Sequence, residues 1–362
     1  MADKTERKQW MPRPGKGRSI VVGILYPMID ALFSYKYSQR IKIAMNVLGS
    51  DWRMPSPCTF WPDPHGHWYS HEEFMDIFKG MDACSLNVAE KFFECSMKMP
   101  QIPHEYERMF FYNYSYFKPS WLKSDDVKRQ MRQDAKAFQK KYGFGCGAEV
   151  SHYHHGLRLL HKSLLEYISG RAFMDVGACS GDSSIAFKDY SPSKIYAFEP
   201  SRKSRDEYAE NVARAGMSAD IYELLPFGLG DTETEIHFND FGDGGTTLNN
   251  SGDDVCKIIT LDSFCMNRDI TVGLIKIDVE GMGEQMIRGS LETIEKCRPV
   301  LSLAIYHHAG ELCETTRLLR ERLNGYRFEL RNFGAQDLCC ETTLIAWPEE
   351  IFNGGCAEEC KS

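Results

Sequence analysis

The sequence predicts an α/β fold with a doubly wound, mostly parallel sheet and a mainly helical region before it. Beyond about residue 150, short apolar segments alternate with helical segments, and parallel neighbouring strands need helical crossovers of this kind. The last two apolar segments are joined only by residues 331–341, a link too short for a crossover. The final pair of strands is therefore predicted to form an antiparallel hairpin.

Seven apolar segments are the predicted strands, and longer stretches between them are the predicted helices. Short apolar runs that alternate with helical stretches are typical of buried strands in such a fold. The strands are predicted at residues 172–176, 194–198, 220–224, 274–277, 300–305, 327–330 and 343–347. The main helices between them are predicted at residues 202–216, 284–296 and 311–324.

Residues 1–150 are predicted to form a separate, mainly helical domain. Ser70 is expected to cap a helix there, with Glu73 returning the bond as in a capping box. Ser124 is expected to cap a second helix, which ends at Gly143. More glycines follow, and they mark the boundary to a second domain at residues 151–350, with a tail at residues 351–362.

The charge of the chain argues against a nucleic-acid partner. The sequence holds 43 Lys and Arg against 51 Asp and Glu, a net charge of −8, with 43% hydrophobic residues. Nucleic-acid backbones require basic patches, whereas this composition is that of an ordinary acidic globular protein. We expect no nucleic-acid partner, and the sequence leaves the oligomeric state open.

Cysteine usage and the N-terminal segment together predict a cytoplasmic protein. The 13 cysteines are odd in number and form no C-x-x-C pair, so we expect free thiols and no zinc site. The apolar run at residues 20–26 is interrupted by Pro27 and Asp30. It is too short to span a bilayer and lacks a signal-peptide cleavage site, so we expect neither a secretory leader nor a membrane span.

A glycine-containing loop at residues 175–183 follows the first predicted strand. Gly177 and Gly181 have no Cβ, so a ligand can approach the backbone amides, and helix-start N–H groups point towards it. Asp175 at the strand end suits a cationic amine. Glu199, which ends the second strand, suits the two hydroxyls of a ribose.

The loop favours S-adenosylmethionine over a dinucleotide. A dinucleotide fingerprint requires G-x-G-x-x-G to bring the backbone against a pyrophosphate, whereas here three residues separate Gly177 from Gly181. The carboxylate of Asp175 would repel a pyrophosphate but attract an amino group. S-adenosylmethionine has that amine and a ribose but no phosphate. A turn that binds no ligand is the alternative.

A third strand-end motif ends in two carboxylates, Asp278 and Glu280. With it, the chain from about residue 157 to 347 resembles the FkbM family of S-adenosylmethionine-dependent methyltransferases. The motifs that carry the resemblance, in order, are Asp-Val-Gly-Ala at 175–178 with Gly-Asp-Ser at 181–183, Ala-Phe-Glu-Pro at 197–200, Gly-Leu-Gly-Asp at 228–231, Thr-Leu-Asp-Ser-Phe at 260–264, Ile-Lys-Ile-Asp-Val-Glu-Gly at 275–281, Arg-Pro at 298–299 and Gly-Tyr at 325–326.

The resemblance implies a class I, Rossmann-like methyltransferase fold with seven strands, and methylation of a hydroxyl on a sugar or natural product. It assigns the methionine part of the cofactor to Asp175, Gly177, Ala178, Cys179, Gly181, Asp182 and Ser183, the ribose to Glu199 and Pro200, and the adenine to a turn with Phe227, Gly228 and Leu229. Asp278 and Glu280 would lie near the transferred methyl group. The chain departs from the family at Gly283, where a second Glu is usual.

A hydroxyl acceptor must lose its proton, so a general base is expected. Asp278 is the first candidate, with Glu280 beside it, and His307 at the end of the next strand is the second. These groups lack the close spacing of a metal site, so no metal is expected. The expected partner is a small-molecule or glycan acceptor.

Two other functions remain possible at this level. A nicotinamide-dependent dehydrogenase could use a similar sheet, although the missing third glycine argues against it. A non-catalytic Rossmann-like binding or scaffold protein could keep the sheet without turnover, although the retained Asp175, Glu199 and Asp278 argue against that. Eight aromatic residues between Tyr106 and Trp121 and a glycine loop at 243–247 are expected to pack between domains and to close over substrate, respectively.

Overall fold

The computed structural model describes residues 66–98, 123–238, 240, 252, 254–334 and 341–356. Ten strands lie in this part of the chain. They are β1 (Ala172–Val176), β2 (Lys194–Phe198), β3 (Tyr222–Leu225), β4 (Phe227–Leu229), β5 (Thr234–Phe238), β6 (Asp254–Ile259), β7 (Val272–Ile277), β8 (Val300–Ala304), β9 (Tyr326–Asn332) and β10 (Thr342–Pro348). The aromatic segment at 106–121 and the loop at 243–247 lie outside the described residues.

Seven strands form one sheet in the order β3-β2-β1-β7-β8-β10-β9. β1 pairs in parallel with β2 and β7, and β7 pairs in parallel with β8. β10 is antiparallel to both β8 and β9. This is the predicted doubly wound sheet of seven strands with a final hairpin. Val176 lies in register with Phe198 on one side and Ile277 on the other, so these strands end at one edge.

A second, three-stranded sheet in the order β4-β6-β5 was not predicted. β4 is parallel to β6, and β5 is antiparallel to it. The predicted turn with Phe227, Gly228 and Leu229 is therefore a strand, because its residues pair with Lys257, Ile258 and Ile259. Its three residues are too few to show a periodic pattern in the sequence.

Eleven α-helices lie in the described part of the chain. They are α1 (His71–Ile77), α2 (Ala83–Lys98), α3 (Asp125–Tyr142), α4 (Ala148–Ser151), α5 (Lys162–Ile168), α6 (Asp182–Phe187), α7 (Arg202–Arg214), α8 (Leu261–Met266), α9 (Gly283–Arg288), α10 (Leu291–Cys297) and α11 (Thr316–Arg322). Short 3₁₀ turns span Leu157–Leu159 and Lys188–Tyr190, and a π-helical turn spans Glu311–Thr315. Among these helices, none combines the length and apolarity needed to cross a bilayer.

Two predicted helices are interrupted. The helix predicted at 284–296 is two helices, α9 and α10, because the helix is interrupted at Gly289. The Gly289 carbonyl accepts the Asp262 N–H. A Cβ on Gly289 would lie 1.9 Å from the Gly230 carbonyl oxygen, so the break is fixed by close backbone contact. The helix predicted at 311–324 begins with the π-helical turn and continues as α11.

The main sheet is covered on both faces. Successive residues of β7 belong to different cores, with Leu274 in one and Ile275 in the other, because side chains alternate across a strand. All six residues of β7 are buried, as expected of a central parallel strand. This packing fixes the positions of the strand ends.

The described helices before residue 150 pack against the sheet. The capping box of Ser70 and Glu73 is present, and Ser124 and Gly143 cap α3 as predicted. α2 meets β9, where Arg331 pairs with Asp82 at 2.6 Å. Phe74 and Phe92 belong to one core of the sheet, and Tyr142 to the other.

One expectation about the cysteines is wrong, since Cys84 is disulfide-bonded. Cys179 of the loop after β1 carries no disulfide, and neither do Cys146, Cys256, Cys265, Cys297 and Cys356.

Candidate functional site

The loop after β1 is held against the ends of two neighbouring strands. The N–H groups of Gly177 and Ala178 both donate to the Phe198 carbonyl, at 3.0 and 3.1 Å. Gly177 has a φ of +75°, and a Cβ there would lie 1.8 Å from the Asp278 carbonyl oxygen. Only glycine fits this position. The first and third sequence motifs are therefore in direct backbone contact.

Glu199 closes the loop from the end of β2. Its Oε2 accepts the Cys179 N–H at 2.9 Å, and its Oε1 accepts the Ser201 N–H at 2.8 Å. Burial raises the pKa of Glu199, and the two backbone donors oppose that effect. Each oxygen keeps a lone pair for a further donor. The adjacent Pro200 is held through its carbonyl, which accepts from Arg205 Nη1 at 2.6 Å.

The crevice is defined as the edge of the sheet at which β1, β2, β7 and β8 end, where doubly wound folds bind their ligands. Asp175 lies inside the sheet, below that edge. It is fully buried, its Oδ1 lies 3.4 Å from Lys276 Nζ, and its Oδ2 accepts from Ser184 Oγ at 2.6 Å. Lys276 Nζ also donates to the Gly177 carbonyl at 2.8 Å. The ammonium group that meets Asp175 is therefore the chain's own Lys276, and the pair braces the loop from below.

Two half-buried carboxyl groups, Asp182 at the start of α6 and Glu149 on α4, repel each other electrostatically. Burial raises the pKa of Asp182 to about 6. Burial followed by the charge of Asp182 raises the pKa of Glu149, on α4, to about 7. Ser183, next to Asp182, shares a 2.8 Å hydrogen bond with His155 Nε2. A cation placed between Asp182 and Glu149 would relieve their repulsion.

Two other loop residues have structural explanations. Gly181 has a φ of +84°, and a Cβ there would lie 2.8 Å from the ring of Tyr208. Burial raises the pKa of the Cys179 thiol to about 12, so the thiol stays protonated at neutral pH. The thiol is therefore not in its nucleophilic form, which is the thiolate.

Asp278, Glu280 and His307 meet at the ends of β7 and β8. His307 Nε2 lies 3.5 Å from Asp278 Oδ1 and 3.9 Å from Glu280 Oε2. The side chains of Asp278 and Glu280 are 26% and 33% exposed, whereas that of His307 is 5% exposed. The two carboxylates are thus partly exposed to solvent, whereas the imidazole is buried.

His307 is paired with a carboxylate that the sequence reasoning missed. Its Nδ1 lies 2.7 Å from Oε2 of Glu311, which is fully buried at the start of the π-helical turn. Burial alone would lower the pKa of His307, but Glu311, with help from Asp278 and Glu280, raises it to about 9. His307 is therefore an imidazolium at neutral pH and is not in the form of a general base.

The departure at Gly283 has a physical explanation. The Gly283 N–H donates to Glu311 Oε1 at 3.1 Å, and a Cβ at position 283 would lie 2.6 Å from that oxygen. The Glu311 carboxylate therefore occupies the space beside residue 283. His308 adds a brace, because its Nε2 donates to the Gly281 carbonyl while its Nδ1 accepts the Glu311 N–H, each at 3.0 Å.

Within the described residues, no three His, Cys, Asp or Glu side chains are arranged to hold a metal ion. Asp278, Glu280 and His307 form an ion-pair cluster in which the histidine is protonated.

Residues 175–330 match the family model described as the methyltransferase FkbM domain. Over these residues the chain is similar to the methyltransferase FkbM domain. That range begins at the buried Asp175 and ends in β9, so it includes all four strand ends that form the crevice.

Solved structures are also similar to this chain. A methyltransferase FkbM from Methylobacillus flagellatus KT is 14% identical with a TM-score of 0.50, over 76% of this chain and 58% of that one. The chain thus spans less than two thirds of that protein's length. The O-methyltransferase TomG from Streptomyces achromogenes is 13% identical with a TM-score of 0.37, over 65% and 94%.

An rRNA methylase from Streptococcus thermophilus is also similar to this chain, at 13% identity and a TM-score of 0.33, over 52% of this chain and 92% of that one. No curated protein matches the chain.

Sequence reasoning missed three charged residues that shape the site, Lys276, Glu311 and Glu149. Lys276 was the easiest to find, because it lies inside the Ile-Lys-Ile-Asp motif of the FkbM domain. Glu311 and Glu149 lie outside the strand-end motifs. Nothing in the local sequence distinguishes either one from a solvent-exposed helix residue.

Proposed function

We propose that the chain is an S-adenosylmethionine-dependent O-methyltransferase that acts on a hydroxyl of a sugar or natural-product acceptor. The observation that carries the proposal is the pair of carboxylate groups on the two sides of one crevice in an FkbM methyltransferase domain. Glu199 lies on the β2 side, and Asp278 lies on the β7 side in backbone contact with the intervening loop.

The residues of the crevice fit S-adenosylmethionine. Glu199 has lone pairs left for the ribose hydroxyls, and the loop at Gly177 lets a ligand approach the backbone closely. Because Asp175 already pairs with Lys276, we assign the methionine amine to Asp182 and Glu149 instead. Ser183 and the β4 residues Phe227, Gly228 and Leu229 would flank the methionine and adenine ends.

When bound, the cofactor supplies an electrophilic methyl group on a sulfonium sulfur. Asp278 accepts the proton that the acceptor hydroxyl loses as its oxygen bonds to that methyl carbon. Asp278 suits this role because it is ionisable and partly exposed, and because it is backed by a protonated His307. Glu280, beside Asp278, would lie near the methyl group of the bound cofactor. Alignment of the hydroxyl with the methyl group supplies the rest of the rate enhancement.

Cofactor binding is tested first, by calorimetry with S-adenosylmethionine and S-adenosylhomocysteine on the full chain. The proposal predicts that both bind at one site. If neither binds, the scaffold alternative is favoured. Quenching of nicotinamide fluorescence, with no response to S-adenosylmethionine, would favour the dehydrogenase.

The acceptor is tested with methyl-labelled S-adenosylmethionine and a cell extract, followed by mass spectrometry and NMR of the labelled product. The proposal predicts a methyl group on oxygen in a small molecule or glycan. A label on nitrogen would overturn the O-methylation part, and a label in the RNA fraction would overturn the expectation of no nucleic-acid partner.

A further inference from the structure

Glu311 is a fully buried carboxylate that the proposed reaction does not use directly. One oxygen, Oε2, accepts from His307 twice, from Nδ1 at 2.7 Å and from the backbone N–H at 3.3 Å. The other, Oε1, accepts the Gly283 N–H at 3.1 Å. Glu311 thus links the segment after β8 to the start of α9.

The opposite nitrogen of His307 is buried and has no hydrogen-bond partner among the described residues. His307 Nε2 is directed towards Asp278 and Glu280, at 3.5 and 3.9 Å. A buried donor left unpaired costs about 1–3 kcal/mol, and such exceptions are concentrated at functional sites. The pair with Glu311 fixes the imidazole so that this nitrogen cannot turn away.

The backbone around Glu311 has two features that are common at functional sites. Glu311 begins a π-helical turn, and π-turns occur often at functional sites. His308 holds that turn to the Gly281 carbonyl, next to Glu280. Glu280 itself has a φ of +49°, a conformation that non-glycine residues adopt at a cost.

We infer that Glu311 is a positioning residue for methyl transfer, acting through His307 on the carboxylate of Asp278. This inference rests on the proposed function. Glu311 keeps the imidazole charged and oriented, and His307 Nε2 then holds the Asp278 side chain in one rotamer. In the reaction, the acceptor O–H bond breaks, a C–O bond forms and the C–S bond breaks. The proton goes to Asp278, and His307 does not receive it.

A second histidine serves as an internal comparison. His155 and His307 are each 8% exposed. Burial, followed by the charge of Lys276, lowers the pKa of His155, which bonds to the neutral Ser183. The groups that face His307 are Glu311 on the π-helical turn, Asp278 and Glu280 after β7, and the stacked ring of Tyr306. Glu311 makes the shortest ion pair among them.

The main test is Glu311→Gln in the full chain with S-adenosylhomocysteine bound. The imidazole nitrogen shifts of ¹⁵N-labelled protein report the protonation of His307, with His307→Asn used to assign its signal. We expect the wild-type signal to titrate near pH 9 and the variant signal to titrate below pH 7. We expect kcat to fall about tenfold to a hundredfold, part of the 10²–10⁴ that acid–base groups contribute, at an unchanged KM for S-adenosylmethionine.

Glu314→Gln is the matched control. Glu314 lies on the same π-helical turn but contacts Arg317 and Tyr69 rather than His307. Its substitution is expected to change neither the His307 titration nor kcat. Glu311→Asp should restore part of the activity because it keeps the charge.

Gly283→Ala tests the inference if Glu311→Gln does not fold. The new Cβ would lie 2.6 Å from Glu311 Oε1 and would displace the carboxylate without removing it. The His307 titration should move in the same direction as in Glu311→Gln, by less. A titration and a kcat that match the wild type would overturn the inference, and so would a loss of kcat without any change in the titration.

The proposed function fails separately from this inference. If the wild type transfers no methyl group, the proposed function is wrong, while the nitrogen shifts still decide whether Glu311 controls His307. If the wild type transfers methyl and Glu311→Gln retains full kcat, only the inference is wrong.

Discussion

The two sides of the crevice each contain a deeply buried histidine, and the two histidines carry opposite charges at neutral pH. Beside the cofactor loop, His155 bonds to Ser183 and stays neutral because burial lowers its pKa. Beside the carboxylates, His307 bonds to Glu311 and is an imidazolium, with a pKa raised to about 9. Since exposure is equal, the partner decides the charge.

In the proposed function, the loop side binds the cofactor and the β7 and β8 side carries out the reaction. On the loop side, Lys276 pairs with Asp175, and two backbone N–H groups donate to Glu199. On the β7 and β8 side, the His307 Nε2 has no hydrogen-bond partner among the described residues, and Asp278 and Glu280 are partly exposed. A titratable group with a raised pKa beside partly exposed carboxylates is typical of a reaction site.

The largest expected effect is on turnover, from Asp278→Asn in the reaction region. Loss of the base should lower kcat by about 10²–10⁴, while the affinity for S-adenosylmethionine stays within a few-fold by calorimetry. Full activity of this variant would show that Asp278 is not the base. The β7 and β8 side would then no longer be the proposed reaction region.

Next in size is the effect of Lys276→Met on stability. The substitution leaves Asp175 as a buried charge with no cation, so the free energy of unfolding should fall by about 3–5 kcal/mol, measured by urea denaturation. The double variant Lys276→Met with Asp175→Asn should recover much of that loss, because no charge remains buried. An equal loss in both variants would mean that the pair is not the brace described above.

A smaller effect is expected from Glu199→Ala on cofactor affinity. The change removes the acceptor of the ribose hydroxyls and of two backbone N–H groups. Hydrogen bonds to charged groups contribute about 1.5–3 kcal/mol, so Kd for S-adenosylhomocysteine should rise about tenfold to a hundredfold. Glu210→Ala, on the exposed side of α7, is the control. Unchanged affinity in Glu199→Ala would show that the ribose assignment is wrong.

The most gradual expected effect is a pH dependence of stability from His307. Its folded pKa of about 9 lies above its ordinary value of 6.5, so its contribution is full below pH 6.5 and is lost as the pH rises through 9. The free energy of unfolding should therefore fall over this window, by on the order of 3 kcal/mol. His307→Gln should flatten the slope. If both proteins show the same slope, His307 is not charged in the fold.

Much of the fold follows from local sequence patterns. The seven strands of the main sheet, its final hairpin and the helix caps at Ser70 and Ser124 were all predicted. The second sheet and the break at Gly289 were not. β4 has only three residues, and the break depends on contact with the Gly230 carbonyl, which lies far away in the sequence.

The sequence by itself determined which residues gather at the strand ends, because strand periodicity and turn requirements are properties of neighbouring residues. It brought Glu199, Asp278, Glu280 and His307 to one edge. Only the tertiary structure decided their charges and their exposure. Asp175 turned inward to Lys276, and His307 acquired its proton from the proximity of Glu311. Ion pairing and burial depend on distances between separate elements, and no local pattern encodes those distances.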